Sequence, residues 1–481
     1  MPIVSEPDAE RRVSEAAQAE PRDGAARLRP AAPIPHRRNL SNVQVVFELG
    51  KNMIAAFGEP AYRARYIFNP SWIQHFLLVN EPDGVKHVLL DHVDNYVKGI
   101  QLQRLTRPML GNGLITAEGQ SWRFQRRVAS PMFQMRHVTG FAAAMAAAVN
   151  ETLLRWSGLA DGSPIEAGEE MMRLTYDVIS RTMFSSDVTM PYRPMSEALD
   201  TYLATQAKVD LLTLLGLPDW VPTPNRLRAK VPLRFLRREI EGVIARRRAT
   251  LARADAVPPD DLLTALLTAR DPQGGALFGE AEVFDNVMTF IFAGHETTAN
   301  ALTWTLYLLS QFPQWDARLA AEASAALNGR AAGAEDLGAL PLTRMVLEES
   351  MRLYPPVPIL SRENIATDKI GPHKIAAHTS VMISPWLLHR HRALWEEPDY
   401  FAPERFAPGA REKIHRFAYL PFGAGPRICI GMSFAMQEAM ILLSAIVQHW
   451  RLELQPGHPV EPLARITLRP KYGMKMRLRR R

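Results

Sequence analysis

The pattern of apolar and polar positions changes character along the chain. Residues 65–80, "RYIFNPSWIQHFLLVN", mix aromatic and β-branched residues around a turn signal and predict a strand pair. From about Glu81 to Asn328 the apolar positions recur at helical spacing, as in "PDGVKHVLLDH", "FAAAMAAAVNETLLRWS", "RLTYDVISRTMF" and a long run from Glu280 to about Phe312. Short β pieces follow in "SRENIATDKIGPHKIAAHTSVMIS", with Gly371-Pro372 as a turn, and "RITLRPKYGMKMRL" suggests a terminal strand pair. Helices dominate and strands cluster at the edges. The expectation is a mainly α fold with a small β region.

Residues Met1–His36 break this pattern. They are Ala, Glu, Arg and Pro, end in "RPAAPIPHRR", and read as a disordered leader because such a composition buries little. Residues 37–481 then form one expected domain, with no internal repeat and no long linker. Apolar stretches such as "AMILLSAIV" are too short or interrupted to span a bilayer, so no integral membrane segment is expected.

Composition adds two constraints. The net charge of +7 suits an acidic partner: nucleic acid, an anionic membrane or an acidic protein. Without a nucleic-acid recognition motif, nucleic acid drops out. There is one cysteine in 481 residues, which fits a reducing, cytoplasmic setting and excludes an internal disulfide.

That cysteine, Cys429, lies in "FGAGPRICIG". A lone cysteine is a buried bystander, a nucleophile or a single thiolate ligand to a metal. Gly423, Gly425 and Gly431 permit backbone angles and approaches that a Cβ resists, and a helix begins near Gly431. Amide donors at that helix start, with Arg427 two residues away, favour an anionic sulfur and hence the ligand reading. A second group is "FIFAGHETTANALTW", where Glu296 and Thr297 lie in an apolar helix after Ala293-Gly294. An acid and an alcohol there are costly unless bonded or used, and an acid beside an alcohol suits proton delivery. An exposed helix edge is the other reading of Glu296. In "EESMRLYPP", Glu349 and Arg352 share a helix face, and "FAPERF" supplies Arg405 as a third member of a charge network. In "GQSWRFQRR", Trp122 and Arg126 stand one helical turn apart, a donor pair suited to a carboxylate or phosphate, or simply the basic side of an amphipathic helix.

Together "WRFQR", "AGHETT", "ESMR", "PERF" and "FGAGPRICIG" resemble the cytochrome P450 family, in order, over nearly the whole chain from about Pro35. The cysteine loop matches F-x-x-G-x-R-x-C-x-G at every fixed position. The resemblance is to the soluble bacterial type without a fused reductase. It implies Cys429 as the axial thiolate of haem b (iron protoporphyrin IX), with Phe422 packed near the sulfur. It implies Trp122, Arg126, Arg362 and Arg427 as donors to the haem propionates, and Ala293 and Gly294 over the haem face. Glu296 and Thr297 correspond to the acid–alcohol pair that delivers protons for O2 cleavage, and Glu349, Arg352 and Arg405 to the structural triad behind the haem. The implied activity is monooxygenation, hydroxylation or epoxidation, with O2 as co-substrate.

No G-x-G-x-x-G fingerprint follows a strand, and one cysteine cannot hold an iron–sulfur cluster. Two electrons per turnover must then come from a ferredoxin or flavodoxin with its NAD(P)H-dependent reductase, docking on a face that includes Arg123, Arg127 and Arg136. The resemblance puts Ile115, Ala293, Val357 and Ile359 in the substrate pocket, under a lid from about Thr201 to Phe235 that is apolar enough to suggest a lipophilic substrate. Two other readings stand beside it: a peroxide-using haem-thiolate enzyme and a non-catalytic haem sensor or carrier.

Overall fold

The computed structural model describes residues 28–38, 40, 44, 48, 50–70, 75–185, 192–206, 224–253, 255, 257–270 and 278–481. The helices that frame the interior are α1 (Ile100–Leu110), α2 (Gly119–Ala129), α3 (Ala142–Ser157), α4 (Ala167–Met183), α5 (Tyr192–Gln206) and α6 (Pro224–Leu251). They continue with α7 (Leu262–Thr268), α8 (Glu280–Gln311), α9 (Pro313–Leu327), α10 (Pro341–Leu353) and α11 (Met432–His449).

Helix α8 is the axis of the fold. Its 32 residues contain no proline, and the Gly279 amide donates to Glu282 Oε2 at 3.0 Å, satisfying a donor at its start. Pro313 ends it, because proline disfavours a helical residue before it, and the same proline opens α9. Its middle is buried on nearly every side, as an all-round apolar helix must be. It packs along α4 and touches α1, α6, α9, α10 and α11.

The strands form a minor layer. β1 (Tyr66–Pro70), β2 (His75–Val79), β3 (Tyr96–Lys98), β5 (Leu360–Asn364) and β8 (Ser380–Ile383) make a sheet in the order β1-β2-β8-β5-β3. Only the β2/β8 pairing in it is parallel. β6 (Asp368–Ile370) and β7 (His373–Ile375) form the hairpin turned at Gly371, whose φ of +55° is the left-handed conformation a glycine takes at little cost. A third sheet has the order β4-β12-β9, from Pro164–Glu166, Lys475–Arg480 and Trp450–Leu454.

Two expectations need revision. The terminal segment is not a strand pair with itself: β11 (Leu468–Pro470) pairs with β10 (Pro462–Ala464), while β12 crosses to β4 and β9. Between β11 and β12 the chain makes a local bridge from Lys471 to Gly473. The leader ends before His36. Pro30 is buried, Arg29 stacks over Tyr400 at 5.2 Å, and Ala31 accepts from Tyr354 Oη at 2.8 Å and donates to Tyr307 Oη at 3.1 Å. A small apolar residue held by two tyrosine hydroxyls is anchored chain that composition does not reveal. Of the expected lid, residues 207–223 lie outside the described residues, as do residues 1–27 of the leader. Among the described residues no helix is long and apolar enough to cross a membrane.

Candidate active site

The cysteine loop is built by its glycines. Gly423 and Gly425 both have φ +71°, and a Cβ on Gly425 would come within 1.8 Å of the Leu89 carbonyl oxygen. The loop therefore folds tightly against residues 89–90 only because position 425 has no side chain. The Cys429 amide donates to Phe422 O at 2.9 Å, so these two residues meet through the backbone. Helix α11 starts at Met432, three residues after the thiol. The Cys429 residue is surface-accessible, yet enough protein surrounds its sulfur that burial pushes the thiol up, opposed by the Gly431 amide and by Arg126.

Four cations gather beside it. Arg126 Nη1 donates to Ile428 O at 2.8 Å, inside the loop. Arg427 donates to Ala117 O at 2.9 Å, pairs with Glu118 and lies under the Trp122 ring at 4.2 Å. Lys98 and Arg362 are directly opposed on β3 and β5. Burial first, then Arg427, lowers Arg362 to about 10. Burial followed by the charges of Arg362 and Arg427 holds Lys98 well below its usual range. Among the described residues Glu118 is the only carboxylate acting on Lys98 and Arg362, and one carboxylate does not neutralise Lys98, Arg126, Arg362 and Arg427. A set of partly desolvated cations in excess is the donor chemistry that fits a doubly anionic group, such as the two carboxylates of haem. Among the described residues no group of three or more His, Cys, Asp or Glu is placed to hold a metal ion.

Helix α8 opens at one place. Between Asn286 and Leu309 only Ala293, Gly294 and Thr297 are less than fully buried, and their i, i+1, i+4 spacing makes them one face. Thr297 Oγ1 donates to Ala293 O at 2.8 Å. Helix α8 runs unbroken through Gly294. A Cβ there would lie 2.5 Å from Ile179 Cδ1 of α4, so the glycine also lets the two helices pack closely. Glu296 is buried, which removes the exposed-edge reading. Its Oε1 accepts from Arg469 Nε at 2.7 Å and from the Thr467 hydroxyl, so the acid is tied to the β10/β11 hairpin and not to the hydroxyl of Thr297. Ile115, Val357 and Ile359 are part-buried, the first two between buried neighbours.

Glu349, Arg352 and Arg405 lie together. Glu349 and Arg352 are both fully buried and form two parallel bonds of 2.7 Å. The remaining Arg352 donors go to His389 O and Pro398 O at 2.8 Å and Tyr400 O at 2.9 Å. Arg405 Nε approaches Glu349 Oε1 at 3.6 Å, and Ala402 N donates to the same oxygen at 2.8 Å.

Sequence reasoning missed Lys98, Glu118, Arg469 and Glu438. The first three carry no local signal, since their partners are far away in the chain. Glu438 did carry one: it is an acid in the apolar run of α11, nine residues after Cys429. It is fully buried, neither oxygen meets a donor in hydrogen-bonding geometry, and burial holds its carboxyl well above the usual range, with the Thr298 hydroxyl offsetting only part of that. Its folded pKa therefore exceeds the unfolded value of about 4.3. The unfolded chain then releases a proton that the folded chain keeps, and stability falls as pH rises above that value. Glu438→Gln is expected to raise the melting temperature relative to wild type at pH 8, with the gain shrinking toward pH 4.5. Every tenfold difference in proton affinity between the folded and unfolded chain is worth about 1.4 kcal/mol. A gain independent of pH between these limits would contradict a protonated Glu438.

The cytochrome P450 family model matches residues 61–476. Cyclooctatin synthase of Streptomyces melanosporofaciens is 34% identical over 394 residues, covering 80% of this chain and 83% of that protein. Pentalenene oxygenase of Streptomyces avermitilis is 34% identical over 402 residues, covering 82% and 86%. Cyclooctat-9-en-7-ol 5-monooxygenase of S. melanosporofaciens is 32% identical over 382 residues, covering 79% and 81%. A crystal structure of a cytochrome P450 haem domain superposes with a TM-score of 0.78 at 24% identity, covering 94% of this chain and 99% of that one, which shows a shared fold.

Proposed function

The chain belongs to the cytochrome P450 family and is a monooxygenase, and from that premise we propose a lipophilic olefin or other hydrocarbon as its substrate. The observation that carries the site is the meeting of an exposed Cys429 with a group of partly buried cations that carries more positive charge than Glu118 offsets. Cys429 would hold the iron of haem b. Lys98, Trp122, Arg126, Arg362 and Arg427 would hold its carboxylates, with Phe422 bracing the loop. When bound, haem supplies the activation of O2 that transfers one oxygen atom to substrate. The protein's own contribution is to position and to move protons. The Thr297 hydroxyl and the carbonyl it bonds stand on the one open face of α8, and Glu296 holds a carboxylate one residue away.

The substrate class rests on two supports. Ile115, Ala293, Val357 and Ile359 would line the pocket with apolar surface, and relatives carry the names of an alkene and an alkenol. The first test is the visible spectrum of the dithionite-reduced protein with carbon monoxide. A strongly red-shifted Soret band is expected, and its absence in freshly folded protein would remove the Cys429 assignment. A spin-state screen should then answer to olefins and fatty acids. Responses confined to polar, charged compounds would contradict the substrate class.

Electrons would come from a separate ferredoxin or flavodoxin and its reductase. Arg123, Arg127 and Arg136 are exposed around α2, beside the loop, with Arg123 paired to Asp94 at 3.0 Å. Arg127→Glu with Arg136→Glu is expected to slow reduction by an acidic carrier by about tenfold or more at low salt, with the difference fading as salt rises. Unchanged rates and salt dependence would exclude this face. A second reading, turnover with peroxide, is favoured by one observation: Arg469 and Thr467 hold the Glu296 carboxylate. Product with hydrogen peroxide and none with O2 plus carriers would establish it.

A further inference from the structure

Glu118 stands at the start of α2, one residue before Gly119, and its side chain does not cap that helix. Glu166 in the same place on α4 accepts from the Gly168 and Glu169 amides, which is the ordinary use of an acid there. The Glu118 carboxylate turns to two other segments instead. Its Oε1 accepts from the Lys98 amide of β3 at 2.8 Å, and its Oε2 meets the Arg427 guanidinium of the cysteine loop. Arg427 is held a second time, by Ala117 O at 2.9 Å. One acid thus joins β3, the start of α2 and the loop that carries Cys429.

A neutral side chain could supply hydrogen bonds at this junction. What the carboxylate adds is charge, where water screens it poorly: Glu118 keeps 22% of its side-chain surface and Arg427 keeps 9%. Burial works against the charged forms of Lys98, Arg362 and Arg427, and Glu118 opposes it at all three. Arg126, the fourth cation, has its favourable charge partner in Cys429 instead. Three cations less one carboxylate leave two positive charges, which is what the two carboxylates of haem offset. Without Glu118 the balance would be one positive charge in excess, and excess positive charge favours an added electron.

We propose that Glu118 is a positioning residue that sets the reduction potential of the bound haem. By offsetting one of the three cations beside the haem carboxylates, it holds the potential below the value those cations alone would give. The step it governs is transfer of one electron from a reduced ferredoxin or flavodoxin to ferric haem, which oxidises the carrier and leaves the iron ferrous. The inference rests on the haem reading of Cys429 and the cations, and goes beyond it by assigning a role to an acid that touches neither the sulfur nor the substrate pocket.

The test is a spectroelectrochemical titration of the full-length haem-loaded protein, read from the Soret bands of its ferric and ferrous forms. Glu118→Gln is expected to shift the reduction equilibrium about tenfold toward ferrous, raising the midpoint by about 59 mV for one electron. Glu118→Asp keeps the charge and should stay close to the wild-type potential, although its shorter side chain loosens both contacts and lowers the thermal midpoint. Lys98→Gln removes a cation while its backbone amide stays on Glu118, so its midpoint should move the other way. The double variant, balanced in charge again, should return toward wild type. Glu453→Gln, an equal change of net charge on β9, should leave the potential where it is. A wild-type midpoint in Glu118→Gln overturns the proposal, as does an unmoved or raised midpoint in Lys98→Gln. Equal shifts in Glu118→Gln and Glu118→Asp also overturn it, by assigning the effect to lost contacts, and an equal shift in Glu453→Gln does so by assigning it to net charge. Wild-type protein without the red-shifted carbon monoxide band would remove the haem reading and this proposal with it, whereas a normal band with an unshifted Glu118→Gln midpoint removes this proposal alone.

Discussion

Glu349→Ala is expected to yield protein that is largely unfolded or unable to retain haem. Its carboxylate accepts both parallel Arg352 bonds of 2.7 Å, the Ala402 amide at 2.8 Å and the longer approach of Arg405. Both members of the pair are fully buried, so truncation leaves a guanidinium without a counter-charge where water cannot reach it. Removing one partner of such a pair costs about 3–5 kcal/mol. Total stability of about 5–15 kcal/mol makes that a large share. The carbonyls of His389, Pro398 and Tyr400 still accept from Arg352, and they hold together the segment that leads into the cysteine loop. Loss of the pair therefore loosens the approach to Cys429 as well. Glu349→Gln keeps the shape and one acceptor, and should fall between alanine and wild type. Haem content per protein and the thermal midpoint check the order. A Glu349→Ala protein with wild-type values in both would exclude a supporting role for the triad.

Cys429→Ser is expected to abolish the red-shifted carbon monoxide band and bring O2-dependent turnover to background while leaving the fold in place. The substitution is nearly isosteric, and the loop conformation depends on Gly423, Gly425 and the Cys429 amide bond to Phe422 O, none of which it alters. What it removes is the ionisable sulfur. A serine hydroxyl stays neutral at any working pH and cannot provide the anionic ligand that favours O–O cleavage. Circular dichroism should match wild type, which separates the chemical loss from a folding defect. A variant that keeps the red-shifted band would place the ligand elsewhere.

How much of the site is legible in the sequence differs from residue to residue. Glu349 and Arg352 are readable because i, i+3 spacing on a helix is a local property. The cysteine loop is readable because positive φ and close approach require glycine at set places in a short segment. The apolar run around Glu296 marks it correctly as a costly acid, but its partners Thr467 and Arg469 lie 171 and 173 residues away. No spacing rule spans such a distance, so the ties of Glu296 to the C-terminal hairpin do not show in the sequence. Gly294 stands out for a sound reason, the need to omit a side chain, yet the neighbour that requires it is Ile179 of α4.

The sequence by itself determined the family, through motifs that follow one another in order along the chain, and with it the mainly helical architecture and the acid–arginine pair. The last two rest on periodicity and on residues three positions apart, and a single glycine-rich loop marks Cys429 as the proposed thiolate. Tertiary structure alone decided which cations converge on the cysteine: Lys98 on β3 faces Arg362 on β5 across a strand pairing, and Arg427 reaches over Trp122 to Glu118. It also decided that Glu438 is buried without a donor and that β12 leaves its hairpin neighbour for β4 and β9. The reason is the same in each case. Charge compensation and burial depend on what the folded chain brings within a few ångströms, and the distance along the chain does not carry that information.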